Sequence, residues 1–259
     1  MKKVTLLCGL LLALTASIAS AAPGVNLKWT DCFGDLGATN RNFTCTTNGG
    51  SNVLVASFEL GAALPGVSGL EVVIDLASAA SPLPAWWGFK NAGTCRTGSL
   101  GVIGAPPGAD VVCQDWSGGL AQGTSVAAYQ IGISGPNTAR ILEVTAVPAG
   151  SGQDLAGATE YFAIQTTINN AKTVGTGSCA GCSSPVCIIC NSIKCATPPV
   201  AGQPSRDVLL SGPTDVTGTS NFATWQGGLG VIVQGRPSGC PQAVPTHTNT
   251  WSSVKGLYR

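Results

Sequence analysis

Charge is what this chain has least of. Aspartate, glutamate, lysine and arginine make up 10% of its 259 residues, against about a quarter in an ordinary soluble domain. The two signs nearly cancel, with 13 basic and 12 acidic side chains. No basic surplus is available to neutralise a phosphate backbone, which argues against nucleic acid as a partner. Histidine is almost missing: His247 is the only one, in a proline- and threonine-rich tail with no acid or nucleophile motif beside it. The residue best suited to proton transfer near neutral pH is therefore nearly lost to the chain. No G-x-S-x-G, H-E-x-x-H, G-x-G-x-x-G or P-loop pattern occurs, which removes the common hydrolase, metalloprotease and nucleotide-binding readings. A hydrolase using only carboxylates from distant strands is the enzymatic arrangement that stays open. Beyond the first 20 or so residues no apolar run is long enough to span a bilayer as a helix.

What is present begins with an address. Met1-Lys2-Lys3 is basic, residues 4–18 are apolar, and Ala19-Ser20-Ala21 is a small-residue cleavage site. The pattern is that of a secretory signal peptide, cut before Ala22. Its apolar run is shorter than the roughly 20 residues of a membrane anchor and is followed at once by small and turn residues. Cys8 leaves with the signal, so ten of the eleven cysteines remain. An even number in an exported chain suits complete disulfide pairing. Glycine (35) and proline (16) are abundant and the apolar fraction is 44%, a balance that fits short strands joined by many turns. No metal or other cofactor is expected.

The strands announce themselves by alternation. In residues 52–60, Leu54, Ala56, Phe58 and Leu60 share one face, and Val53, Val55, Ser57 and Glu59 the other. Residues 70–76 place Val72, Ile74 and Leu76 inward, with Glu71 and Asp75 on a solvated face. Those two acids lie about 13 Å apart along a strand, too far for a paired-carboxylate site. Residues 25–30, 41–45, 125–133, 139–147 and 160–168 read as further strands, with Leu142, Val144, Phe162 and Ile164 among the inward residues. The spacing, with no helix-length periodic run between strands, predicts an all-β antiparallel β-sandwich, immunoglobulin- or cohesin-like and disulfide-stapled. Residues 22–200 form this sandwich. Residues 201–240 supply further strands, at 207–211 and 230–234, packing on or beside it. Residues 241–259 are a spacer and a short helical tail, whose Trp251, Val254, Leu257, Tyr258 and Arg259 either dock on the sandwich or serve as a sorting signal.

Two stretches invite a functional reading. Pro84-Ala-Trp-Trp-Gly-Phe89 lies in a long loop region, residues 77–115. Adjacent residues of an extended segment point opposite ways, so one of Trp86 and Trp87 could face a ligand while the other anchors the core. Five cysteines crowd between Cys179 and Cys195. The spacing of Cys179, Cys182, Cys187 and Cys190 is too tight for a structural zinc site, whose two pairs usually stand a dozen or more residues apart. A regular strand also sets Cys187, Ile189, Asn191, Ile193 and Cys195 on one face, with Val186, Ile188, Cys190 and Ser192 on the other, which hinders a four-sulfur cage. Disulfides are expected instead. Cys32 pairs with Cys45 and Cys95 with Cys113, each closing a short loop. Cys179, Cys182, Cys187, Cys190, Cys195 and Cys240 share three bridges in an order that spacing leaves open. The acids at Asp31 and Asp35 belong to a turn, since the repeated acid spacing and closing glutamate of an EF-hand are missing.

Pro84-Ala-Trp-Trp-Gly-Phe89, Gly175-Thr-Gly-Ser-Cys-Ala-Gly-Cys182, Pro185-Val-Cys-Ile188, Phe222-Ala-Thr-Trp-Gln226 and Thr250-Trp-Ser-Ser-Val-Lys-Gly-Leu-Tyr-Arg259 together resemble a family of uncharacterised exported bacterial proteins. The resemblance covers most of the mature chain. It implies a secreted bacterial β-rich protein and brings no activity with it. The family's strand continues with an aliphatic residue after Pro-Val-Cys-Ile, where this chain has Cys190 and then Cys195, so an additional bridge between those two is open. The expected function is that of an exported structural or cell-surface protein without catalytic activity. The alternative is an extracellular binding module for a glycan or protein, using Trp86 or Trp87.

Overall fold

The computed structural model describes residues 23–90, 93–106, 113–200, 204–213 and 220–228. Among them are the strands β1 (Gly24–Trp29), β2 (Asn40–Arg41), β3 (Ser51–Glu59), β4 (Leu64–Val67), β5 (Gly69–Ser78), β6 (Leu100–Ile103) and β7 (Gln114–Asp115). They continue with β8 (Gln122–Ile131), β9 (Thr138–Ala146), β10 (Gln153–Leu155), β11 (Glu160–Asn169), β12 (Val186–Ala196), β13 (Val208–Leu210) and β14 (Phe222–Trp225). Helix among the described residues is confined to single 3-10 turns at Ala85–Trp87 and Gln226–Gly228.

The strands form two main sheets and a small ribbon. The first sheet runs β1-β3-β11-β6, with β7 beside β11; the second runs β2-β14-β12-β5-β9-β8, with β13 on β12. β4 and β10 make the ribbon. One face of each main sheet meets the other across a shared core. Val25, Leu27, Leu54, Phe58, Ile164 and Ile168 come from the first sheet, and Leu70, Val72, Ile74, Leu76, Ile141 and Ile188 from the second. The all-β antiparallel sandwich expected from the alternation is the observed architecture. β13 and β14 are members of the second sheet, both hydrogen-bonded to β12. The leader expected at 1–21, the strand expected at 230–234 and the helical tail expected within 241–259 lie outside the described residues. No helix among the described residues is long and apolar enough to cross a membrane.

Bulges change which side chains face inward. β12 pairs with β5 in register from Val186 to Cys190, then skips Asn191 and resumes at Ser192. One inserted residue turns every later side chain over. Ile193 and Cys195 therefore join Val186, Ile188 and Cys190 in the core, while Cys187 and Ile189 form a separate cluster on the sheet's other face. A similar irregularity between Phe162 and Ile164 in β11 sends Phe162 outward, against Val55, Cys32 and Cys113. In β9 the register sets Glu143 opposite Val72 and Ile141 opposite Ile74. Leu142 and Val144, expected inward, are only half-buried on the outer face, and Glu143 is in the core instead.

Candidate functional site

The sulfurs do not pair as their spacing suggests. Cys32 bonds Cys113, Cys45 bonds Cys182 and Cys95 bonds Cys179, across 81, 137 and 84 residues. The expected Cys32–Cys45 bridge fails because the chain between them crosses to the other sheet. Cys32 stays against the outer face of β3 and β11, while β2 pairs with β14 and carries Cys45 away. Cys95–Cys113 fails because the segments next to these cysteines dock at opposite ends of β11. β6 pairs near Ile168 and β7 at Tyr161 and Phe162, roughly 20 Å apart along a strand, far beyond the ~7 Å Cα reach of a disulfide. Cys187 is also disulfide-bonded. Cys190 and Cys195 are free, buried thiols, which corrects the expectation that every mature cysteine is paired. Cys240 lies outside the described residues.

Trp86 and Trp87 are both fully buried, so neither presents a face to a ligand. The reason is local. Residues 85–87 form a 3-10 turn rather than an extended segment, so the two rings need not diverge. They pack edge to face at 5.1 Å and both meet Trp225. Trp86 Nε1 donates to Thr173 Oγ1 at 3.0 Å. The Arg96 guanidinium lies over the Trp86 ring at 3.6 Å and donates to the carbonyls of Trp86, Ala171 and Asn169. Burial pulls its pKa down to about 10, still high enough to keep it charged. Tyr129 donates to the Trp87 carbonyl, and burial pushes its phenol well above the usual range. This is an aromatic core closed by an arginine.

An open cleft of about 350 Å³ lies beside that core, lined by Arg41, Asn42, Phe43, Thr44, Thr47, Ser51, Asn52 and Asn170. β2 sets its position by pairing in parallel with β14, Asn40 beside Thr224 and Arg41 beside Trp225. Phe43 then stacks on Trp225 at 4.2 Å and meets the edge of Trp29 at 4.7 Å. Gln226 holds the backbone at Phe43 from both sides, Oε1 accepting from Phe43 N at 3.1 Å and Nε2 donating to Phe43 O at 2.9 Å. The Cys45–Cys182 disulfide ties down the next turn. At the far side Asn170 Nδ2 donates to Gly49 O at 3.0 Å, and its Oδ1 accepts from Asn52 Nδ2 at 2.8 Å. The wall is thus built by tertiary contacts, although its residues are turn-formers.

The cleft offers one guanidinium, several hydroxyls and amides, and the Phe43 ring with Arg41 5.8 Å from its centroid. Among the described residues that line it there is no carboxylate, cysteine or histidine, the groups that most often serve as general base or strong nucleophile. Such a surface suits a polyhydroxylated or anionic ligand. The strand expected at 41–45 is cut to Asn40–Arg41, and the residues after it turn away to form this wall. The density of threonine, asparagine and serine from Thr44 to Asn52 was the available signal.

Elsewhere the polar groups hold the fold. Glu160 accepts from Phe33 N at 3.0 Å, Gly34 N at 2.8 Å and Ser57 Oγ at 2.5 Å, fastening the loop after β1 onto the first sheet. Lys28 donates to Thr39 Oγ1 at 2.6 Å and Ser220 Oγ at 3.2 Å. Burial lowers its pKa, partly offset by Glu160. Asp75 takes a two-pronged contact from Arg140, both bonds at 2.7 Å. Cys32, Asp35 and Cys113 come close together, but the two sulfurs are spent in a disulfide and cannot act as thiolate ligands.

A search against family models finds no match for this chain, and none of the curated proteins matches it.

Proposed function

We propose that this chain is an exported, non-catalytic structural protein of the bacterial cell surface, related to the β-rich exported proteins its motifs resemble. The observation that supports this most is the set of long-range disulfides joining loops across the sandwich. Such staples form and persist in oxidising compartments and resist unfolding where no chaperone operates. The remaining polar groups described above act as loop fasteners and fit the same reading. Fractionating bacteria that express the full chain tests it. The protein is expected outside the cytoplasm without its first 21 residues; intact chain retained in the cytosol would overturn it. Deleting residues 249–259 in the same experiment tests the candidate sorting tail, with altered location and unchanged melting temperature expected.

The cleft favours a second reading, that of a binding module for a surface glycan. With Arg41 the one charged side chain among the described lining residues, the class it suits is a carboxylated polysaccharide rather than a neutral one. Retention on alginate or polygalacturonate but not dextran is expected, with Arg41→Ala reducing it about tenfold. Equal retention of the variant, or none of the wild type, rules this reading out and leaves the structural one intact.

A further inference from the structure

One part of the outer face of the second sheet, around Cys187 and Ile189, is buried apart from the core between the sheets. Ala77 and Ile189 there are 6% and 3% exposed and Cys187 is wholly enclosed, with Phe222 packed beside them. Asn191, the bulged residue, is 1% exposed on the same side and donates to Asp75 Oδ2 at 2.9 Å. Side chains on a sheet face open to water do not reach such values, so something covers them.

Cys187 says what. It is disulfide-bonded, but Cys32, Cys45, Cys95, Cys113, Cys179 and Cys182 are paired among themselves, and Cys190 and Cys195 are free. Cys8 belongs to the stretch read as a signal peptide. Cys240 is the remaining cysteine. The described chain stops at Gly228, three residues past Trp225, which pairs with Val186 next to Cys187. The twelve residues onward to Cys240 can span about 40 Å, while neighbouring strands stand only about 4.8 Å apart. Ample length is left to lie along the face before returning to Cys187. That length opens with Leu229-Gly-Val-Ile-Val233, an apolar run of the kind a buried face containing Ala77, Ile189 and Phe222 requires.

We propose that residues 229–240 cover the outer face of the second sheet and are pinned there by a Cys187–Cys240 disulfide. The occupant is this chain's own C-terminal segment, and the tail beyond residue 240 starts from a fixed point on the sandwich. The bridge forms with loss of two hydrogens to the thiol oxidants of the exported compartment.

Digesting the full-length oxidised protein without reduction, followed by mass spectrometry, tests this directly. The peptide carrying Cys187 is expected joined to the one carrying Cys240. A free thiol at Cys240, Cys187 joined elsewhere, or a disulfide-linked dimer on a non-reducing gel would overturn it, the last pointing to a second copy as the cover. In the full-length Cys240→Ser variant, Cys187 is expected to alkylate at least tenfold faster than Cys190 and Cys195, whose protection reports an intact core. If Cys187 stays as protected as those two, another element covers the face. Should the variant not fold, the wild-type disulfide map decides alone.

Discussion

Thr166 on β11 donates its hydroxyl to the Glu143 carboxylate on β9 across the interior of the sandwich, with oxygen–oxygen distances of 2.8 and 2.9 Å. Glu143 is wholly buried and this hydroxyl is the one donor to it among the described residues, too little to replace hydration of a charge. Burial pushes its pKa up to about 7, with the Thr166 bond pulling slightly the other way.

The pH dependence follows from that. Below an ordinary carboxyl pKa of 4.5, folded and unfolded chains both hold the proton and the full stability is present. Between there and about 7 the unfolded chain releases it first, so stability falls as pH rises, by about 3 kcal/mol in order of magnitude. Glu143→Gln keeps an acceptor for Thr166 and removes the titration. Its melting temperature should match wild type near pH 4.5 and exceed it clearly at pH 8. A difference that does not grow with pH would show that Glu143 stays ionised in the core.

Much of this fold was legible in the sequence because alternation survives wherever strands are regular, as in Leu54, Ala56 and Phe58 or Val72, Ile74 and Leu76. It failed where one residue is inserted. Nothing local marks Asn191 as a bulge, and without the bulge Cys190 and Cys195 fall on opposite faces. Glu143 was missed for a related reason. Leu142 and Val144 are the more apolar pair, but pairing with β5 decides the register. Disulfide partners depend on where β2, β6 and β7 dock, which only long-range pairing reveals. The cleft was illegible because the Phe43–Trp225 stack joins residues far apart in sequence.

The two adjacent tryptophans should respond differently to removal of the indole N–H. Trp86 Nε1 bonds Thr173 and its ring supports Arg96, whereas Trp87 Nε1 is buried with no acceptor among the described residues. Trp86→Phe should cost about 2–3 kcal/mol in denaturant unfolding, losing a paired donor and a cation–π partner as well as volume. Trp87→Phe should cost less, since it removes an unpaired polar group. Reversal of that order would contradict the roles assigned to these rings.

Breaking the Cys45–Cys182 bridge should be costly. It closes the longest of the described disulfide loops, 137 residues, for which chain entropy gives about 5 kcal/mol. The Cys45→Ser, Cys182→Ser double variant should unfold at markedly lower denaturant and become sensitive to proteolysis in the loop carrying Phe43. A stability change below about 1 kcal/mol would show that the Gln226 and Trp225 contacts hold that loop alone.

The central claim is a sandwich closed by disulfides around a core that keeps two thiols. Burial raises the pKa of Cys195 to about 12, helped by Asp207, and raises Cys190 further, helped by Glu143 and Asp75. Both thiols should therefore be inert in the folded protein. The measurement is alkylation of mature protein recovered from outside the cytoplasm, first native and then denatured without reduction, with the labelled sites located by mass spectrometry. The account predicts no label in the native protein and label at Cys190 and Cys195 alone after denaturation. Label at Cys32, Cys45, Cys95, Cys113, Cys179 or Cys182 in the unreduced chain, or no thiol at all, would contradict it.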